Sequence, residues 1–319
     1  FDVTPYAFSR GCPFGCTFCM EESMRPRRLS VPDDLVSEDL HHLAGFSRNR
    51  TLLVSDALFK SFHLLPLLRE LGLRINFETR CDVLDPGILE KNADVIQALA
   101  LGFESASYET LRRMNKLADR DHYRRYLAGA RAIFQAADAA GIPIMVFMIA
   151  GFPGDSEEDL QATLSFAESL AASARGPGGF LFKIGECHVY PKTKLHDLAR
   201  RLPGVAFDED GVFGQNVVRR PSKNLSFETV LDYAGRTFRL SRPSKKLERI
   251  LRQMMPFFRL PAAALRDDII VDKCCLDGDR EVFDVRSDSL ARFRERLPLL
   301  LDRHRQTQTA ERETRQLDL

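Results

Sequence analysis

No run of residues in this chain is long and apolar enough to cross a bilayer. The most apolar stretch, IPIMVFMIAGF from Ile142, is broken by Pro143 and Gly151 and falls well short of the roughly 20 residues a spanning helix takes. No charged segment followed by an apolar one stands at the start, so no secretory signal is visible and the cytoplasm is the expected compartment. Charge of one sign is lacking as well. The formal net charge of +1 provides no global field toward nucleic acid or an anionic membrane, so such binding would have to be local. No internal repeat is evident. Nor do the seven cysteines form an even, regularly spaced set. Cys81, Cys187, Cys274 and Cys275 are scattered through apolar stretches, the pattern of buried thiols in a reducing compartment rather than of a disulfide framework. Adjacent Cys274 and Cys275 would face opposite sides of a strand and make a poor pair for one metal.

What is present suffices for one large core and a smaller appended unit: 319 residues, 44% hydrophobic and 29% charged. The chain begins at Phe1 rather than Met, and the expectation is a processed protein or a fragment with a domain upstream. Short β-type runs alternate with amphipathic helical ones. Strands are expected at TPYAFSR, at TLLVSDALF from Thr51, at RINFETRCD from Arg74, at VIQALALGFES from Val95, at IPIMVFMIAGFPG and at FLFKIGECHVYP from Phe180. Helices are expected over 32–43, 62–71 and 86–91, over 108–140 with a break near Asp119, and over SEEDLQATLSFAESLAASA. Six apolar strands joined by helices predict an α/β fold with a parallel sheet and right-handed crossovers, open or closed into a barrel. Such barrels place their chemistry at the C-terminal ends of the strands.

Beyond Leu202 the alternation stops. Residues 203–224 read as loop and 226–258 as mostly helical and basic. IIVDKCCLDGDREVFDV reads as a hairpin turning at Asp277-Gly278, and a final helix over 289–305 gives way to a polar, disordered tail over 306–319. The basic stretch from Arg239 to Arg259 could lie on RNA or a membrane surface, but an amphipathic helix packing Ile250, Leu251, Met254 and Phe257 inward is the plainer reading. His188, near the end of the sixth strand, suits either a substrate-facing role or a satisfied buried one.

The segment FSRGCPFGCTFCM places Cys12, Cys16 and Cys19 together. Three thiolates on one loop can ligate three corners of a 4Fe-4S cube, which leaves the fourth iron open to a small molecule. Gly11 and Gly15 permit unusual backbone angles around such a cube, and Pro13 stiffens the turn. A zinc site would call for a further Cys or His pair at ligand spacing, and His41 and His42 on one helix do not present both rings to one metal.

Cys12-x3-Cys16-x2-Cys19 directly after a first strand, with Phe18 before the last cysteine, resembles the signature of the radical S-adenosylmethionine (radical SAM) superfamily, over about residues 4–198. The resemblance implies a partial (β/α)6 barrel over 1–202, related to the TIM barrel, with a helix-rich C-terminal extension over 203–305. It implies a 4Fe-4S cluster on Cys12, Cys16 and Cys19, with Phe18 beside the cofactor and S-adenosylmethionine (SAM) on the open iron. Electron transfer would then yield a 5′-deoxyadenosyl radical. The other landmarks follow in order. SDALF implies a methionyl-amino role for Asp56, with Ser55 where the family carries a second Asp. FETRCD implies a methionyl-carboxylate role for Arg80. GFESAS implies ribose or amino contacts from Glu104 and Ser105, and MIAGFPGDSEED implies adenine contacts from Ile149, Gly151 and Pro153. In HVYPKTKL, Lys192 stands in place of a Gly. Arg28 resembles an Arg that orders the cluster loop. No catalytic residue beyond the cofactor set is assigned.

Each landmark also has a plainer reading. Carboxylates and arginines at strand ends often cap loops or pair with one another, and in GFPGDSEEDL the Pro-Gly turn and an Asp155 or Ser156 cap explain a helix start without any ligand. The strings SRGCPFGCTFC, RRLSVPDDLVSEDL, GFES and GFPGDSEED together resemble the branch that often carries an N-terminal cobalamin-binding domain. That branch implies methylation or other tailoring of a small-molecule or peptide substrate, with a flavodoxin or ferredoxin as reductant and cobalamin held by a domain outside these residues. Two alternatives stand beside it: a methylthiotransferase-like enzyme on RNA or protein, and a non-catalytic iron-sulfur sensor or scaffold.

Overall fold

The computed structural model describes residues 4–24, 27–46, 50–208 and 216–254. All of them lie in one compact unit, Phe1–Met254. The strands, in chain order, are β1 (Thr4–Tyr6), β2 (Ser9–Arg10), β3 (Leu29–Ser30), β4 (Thr51–Val54), β5 (Arg74–Arg80), β6 (Ile96–Glu104), β7 (Ile144–Ala150), β8 (Phe180–Glu186), β9 (His188–Val189), β10 (Ala206–Phe207) and β11 (Asn216–Arg220). The helices are α1 (Met20–Met24), α2 (Asp33–Phe46), α3 (Leu65–Glu70), α4 (Pro86–Lys91), α5 (Tyr108–Arg113), α6 (Arg120–Ala139), α7 (Glu157–Ser173), α8 (Lys194–Arg201), α9 (Phe227–Arg239) and α10 (Lys245–Met254). No helix among the described residues is long and apolar enough to cross a membrane.

Six strands form one sheet in the order β1-β4-β5-β6-β7-β8, and every neighbouring pair is parallel. The two end strands are not paired with each other, so the structure is a partial (β/α) barrel. β6 runs through the middle of the sheet and is buried along its whole length, which is why its sequence is a nearly unbroken apolar run. Alternation sorts the two faces of the sheet. Phe77 packs on Phe59 and Phe62, Phe103 stacks on Phe166, and Phe180 and Phe182 meet Phe134, so these residues face the helices. Their sequence neighbours face the barrel interior.

Small polar residues set where each helix begins. Asp85, Ser107, Asp119, Thr193 and Ser226 each accept a backbone N–H of the first turn, and Ser156 forms a reciprocal capping box with Asp159. Asp119 is therefore the break between α5 and α6 that the sequence marks. Asp155 is buried behind the α7 start. It accepts from the Thr110 hydroxyl, from the Arg113 guanidinium and from the Phe152 N–H, so it ties the loop after β7 to α5.

Three features differ from the sequence reading. The long run TLLVSDALF is a strand only to Val54, because Asp56 turns inward to bond the exit of β1. The helix expected at 62–71 opens with a 3-10 turn over Phe62–Leu64, followed by α3 with Pro66 in its first turn. Residues 203–224, read as loop, contain β10 and β11, which join β9 in a small antiparallel sheet. β11 is only five residues with two buried valines, too short for period to reveal. The described residues that follow α8 pack onto the barrel: α9 lies against β8 and α7, and Arg242 bridges to Phe180. Leu247 and Ile250 are buried, in keeping with a packed amphipathic α10. The expected hairpin over 269–285, the helix over 289–305 and the tail lie outside the described residues.

Candidate functional site

The cysteine loop leaves β1 at the C-terminal edge of the sheet, and neighbouring elements fix it at both ends. At its start, both Asp56 oxygens are engaged. Oδ1 accepts the Phe8 N–H at 2.8 Å, and Oδ2 accepts the Ser9 hydroxyl. Burial pushes the Asp56 carboxyl above the usual range, against the pull of the Ser9 and Phe8 hydrogen bonds and the Arg28 charge. Further along, Thr17 donates its N–H to Met114 O (3.0 Å) and its hydroxyl to Arg113 O (3.0 Å), while Leu195 N–H donates to Thr17 O (2.8 Å). Asn115 Nδ2 donates to Gly15 O at 2.8 Å. The loop is thus clamped between the end of α5 and the start of α8. Gly11 has φ +77°, the left-handed region expected of it. Gly15 does not, and its lack of a side chain serves close approach instead: a Cβ there would meet Asn115 Nδ2 at 3.1 Å.

Within this frame none of Cys12, Cys16 and Cys19 is in a disulfide, and Cys16 is buried while the other two are half-buried. Cys19 N–H donates to Cys16 O, which folds the Cys16-Cys19 segment into a turn that runs straight into α1. Burial raises the Cys12 thiol, with the Phe14 N–H pulling the other way and the nearby Cys16 adding to the rise. Arg80, from the end of β5, reaches Cys16 Sγ with Nη1 at 3.1 Å and covers the Phe14 ring at 4.0 Å. The rest of its guanidinium grips Asp82 through Nε (2.8 Å) and Nη2 (2.7 Å) and touches Lys116 O. Burial works against both charges. The pair more than offsets it, holding Asp82 below the usual carboxylate range and Arg80 above its own.

The other strand ends contribute unevenly. Glu104 sits at a register irregularity between β6 and β7 with φ +73° and accepts from Lys116 Nζ at 3.0 Å. Left-handed backbone at a non-glycine residue costs about 1–2 kcal/mol, so the ion pair holds a strained carboxylate at the mouth. Phe18 packs edge-on against Phe152 with centroids 6.5 Å apart, joining the cysteine loop to the loop after β7. Ile149 is half-buried on the interior face of β7, and Pro153 is buried in the following turn. Gly151 has φ +73°, and a Cβ there would come within 2.9 Å of Val230, so its place in the α9 packing alone requires glycine. The Ser105 hydroxyl meets Thr163 Oγ1 (3.0 Å) and the Ser107 N–H (3.0 Å) on the helix side and is not brought to the mouth. Lys192 has φ +66°, so the position keeps a glycine-like backbone although it carries a side chain.

Sequence reasoning missed Lys116 and Asp82, which hold Glu104 and Arg80. Asp82 had a local signal, two residues beyond Arg80 in FETRCD; Lys116 had none, because α5 and a turn separate it from Glu104. The donor set suits an iron-sulfur cube. It offers three soft thiols on one loop, and Arg28 keeps Nε and Nη2 buried without a hydrogen-bond partner among the described residues. Among the described residues no group of three or more His, Cys, Asp and Glu converges on a single ion. A cube takes its thiolates on separate irons and does not ask for that convergence.

A family model described as the Radical SAM superfamily matches residues 6–167. The ribosomal protein uS12 methylthiotransferase RimO of Anaeromyxobacter sp. (strain Fw109-5) is 26% identical over 213 residues, covering 62% of this chain and 43% of that protein. The bacteriochlorophyllide d C-12(1)-methyltransferase of Chlorobaculum tepidum is 27% identical over 174 residues, covering 51% of this chain and 37% of that protein. The chain spans less than half the length of the curated relatives it matches. Among solved structures, the radical S-adenosylmethionine methyltransferase TsrM from Kitasatospora setae, with tryptophan substrate and a SAM analog bound, superposes with a TM-score of 0.57 at 15% identity, covering 75% of this chain and 52% of that one. At that identity the likeness is one of fold.

Proposed function

Because the chain belongs to the radical SAM superfamily, we propose that Cys12, Cys16 and Cys19 hold a 4Fe-4S cluster at the barrel mouth and that the protein cleaves S-adenosylmethionine reductively. The observation that carries this reading is the cysteine loop itself. It is pinned by Asp56, α5 and α8, and Arg80 lies on Cys16 Sγ at 3.1 Å. When bound, such a cluster supplies the electron that splits the SAM sulfonium to give a 5′-deoxyadenosyl radical.

The chain's own residues do the rest by placement. Asp56 fixes the β1 exit so that Cys12 and Cys16 keep their spacing. Arg80 puts positive charge beside the Cys16 sulfur and holds that side of the loop in place. Glu104, held by Lys116, presents a carboxylate where an ammonium group of SAM can pair with it. Phe18, Ile149, Gly151 and Pro153 form the apolar wall for adenine. Ser105 stiffens the turn after β6 from behind.

For the overall reaction we favour methylation or another tailoring of a small-molecule or peptide substrate, a transferase activity. The methyltransferases among the similar proteins support it. Cobalamin would be held by a domain outside this chain, and a flavodoxin or ferredoxin would deliver the electron. Methylthiolation of RNA or protein is the second reading, favoured by the RimO relatives. The test is electron paramagnetic resonance of the anaerobically reconstituted, reduced chain with and without SAM. A 4Fe-4S signal whose shape changes on adding SAM is expected. A signal indifferent to SAM would contradict an open iron.

A further inference from the structure

Below the cysteine loop the barrel interior is not uniformly apolar. Asn76, Glu78 and Arg80 share the interior face of β5, since Phe77 and Thr79 between them turn toward Phe59. Lys183 shares the corresponding face of β8, between Phe182 and Ile184, and its Nζ lies 5.5 Å from the centroid of the Phe147 ring on β7. Register places Arg80, Gly102, Phe147 and Lys183 side by side across the sheet. Lys183 is therefore level with the guanidinium that touches Cys16, and Glu78 sits one layer beneath.

Both charged side chains are open to the space inside the barrel, although β5 and β8 are otherwise largely buried. They form no ion pair with each other. Asn76, next below Glu78, is only 2% exposed, and both of its amide atoms lack a hydrogen-bond partner among the described residues. A buried amide with neither donor nor acceptor satisfied is costly, and native interiors seldom keep one without a water or a ligand. Ala98 and Ala100, opposite Asn76 and Glu78 on β6, are small enough to leave room between the strands.

We propose that Glu78 and Lys183 bind the ammonium and carboxylate of a free amino acid carrying an apolar or aromatic side chain, with Asn76 as the polar floor beneath it. This assignment rests on the barrel mouth being the SAM-cleaving site, and it names the substrate class of that site. β5 and β8 are three strand spacings apart, roughly 14 Å along the sheet and less across its curve. Side chains reaching in from both sides narrow that gap. Opposite charges that do not meet each other are recovered by a ligand that bridges them. Phe147, against which the Lys183 Nζ lies, gives the apolar side chain a surface. Protein closing around the narrow interior, together with the Glu104 charge, pushes Glu78 up to about 7, against the pull of Lys116 and Lys183.

The experiment measures binding to the full chain by saturation-transfer NMR and calorimetry, with and without the reconstituted cluster. Three probes are compared: L-phenylalanine, 3-phenylpropionate lacking the ammonium, and phenethylamine lacking the carboxylate. L-Phenylalanine should bind on the order of tenfold more tightly than either analogue, the discrimination of one charge-assisted contact. Glu78→Gln should erase its advantage over phenylpropionate, and Lys183→Met its advantage over phenethylamine. The ammonium-dependent part should grow as pH rises through about 7 and Glu78 ionises among Glu104, Lys116, Lys183 and Arg80. Equal binding of the three probes, or binding of none, would overturn the assignment, whether or not the variants fold. SAM cleavage is scored separately on the same samples, so a failure of the cluster chemistry is not mistaken for a failure of this site.

Discussion

Replacing Cys16 with Ala should abolish stable cluster assembly and with it all SAM cleavage, whereas Cys81→Ala and Cys187→Ala should keep both. The contrast follows from position. Cys16 is the buried thiol at the centre of the clamped loop and carries the Arg80 contact, while Cys81 and Cys187 are buried in the core. Burial raises the Cys81 thiol to about 12, so a thiolate there is strongly disfavoured. Two remaining cysteines cannot hold a cube that takes three from this loop. Iron and acid-labile sulfide per chain after anaerobic reconstitution and gel filtration give the readout. Wild-type iron content in the Cys16 variant would remove this cysteine from the ligand set.

Arg80→Ala should be the most damaging change outside the cysteines. The guanidinium makes four hydrogen bonds at once, two to Asp82, one to Cys16 and one to Lys116 O. Its removal leaves the Asp82 carboxylate nearly buried, with the His122 ring Nε2 at 3.4 Å as the side chain still in contact. Breaking a buried pair on one side costs about 3–5 kcal/mol, because the surviving charge loses its partner. For a domain of this size each kcal/mol lowers Tm by roughly 2–4 °C, so a fall of about 6 °C or more is expected. Arg80→Lys keeps a charge but not the fork, and should recover only part of the loss. The variant should also shift the reduction potential of the reconstituted cluster, since a positive charge leaves the Cys16 sulfur. A Tm within 2 °C of wild type would show that Asp82 finds another partner.

Much of the barrel was legible in the sequence because each strand and helix carries its own signal. β6 is a continuous apolar run, α4 starts at Asp85-Pro86, and the break at Asp119 is a cap whose side chain bonds the His122 N–H. The cysteine spacing is local too, as is the left-handed angle of Gly11. What escaped was held by partners distant in sequence. Asp56 reads as a ligand beside a strand, yet its oxygens bond Phe8 and Ser9 across 48 and 47 residues. Ser105 reads as a cofactor contact within GFES, yet Thr163 captures its hydroxyl on the helix side. The small β9-β10-β11 sheet left no periodic trace because its strands are two, two and five residues long. Glu78 and Lys183 look like ordinary surface charges in their strands until register puts both inside the barrel.

The decisive measurement is 5′-deoxyadenosine formation by the reconstituted chain under anaerobic conditions, with dithionite as electron donor and SAM supplied, followed by chromatography beside the Cys16→Ala variant. Product from the wild type and none from the variant is the expected result. A wild type that assembles its cluster and binds SAM yet forms no 5′-deoxyadenosine, or a variant that forms as much as the wild type, would contradict a radical-generating site on this loop.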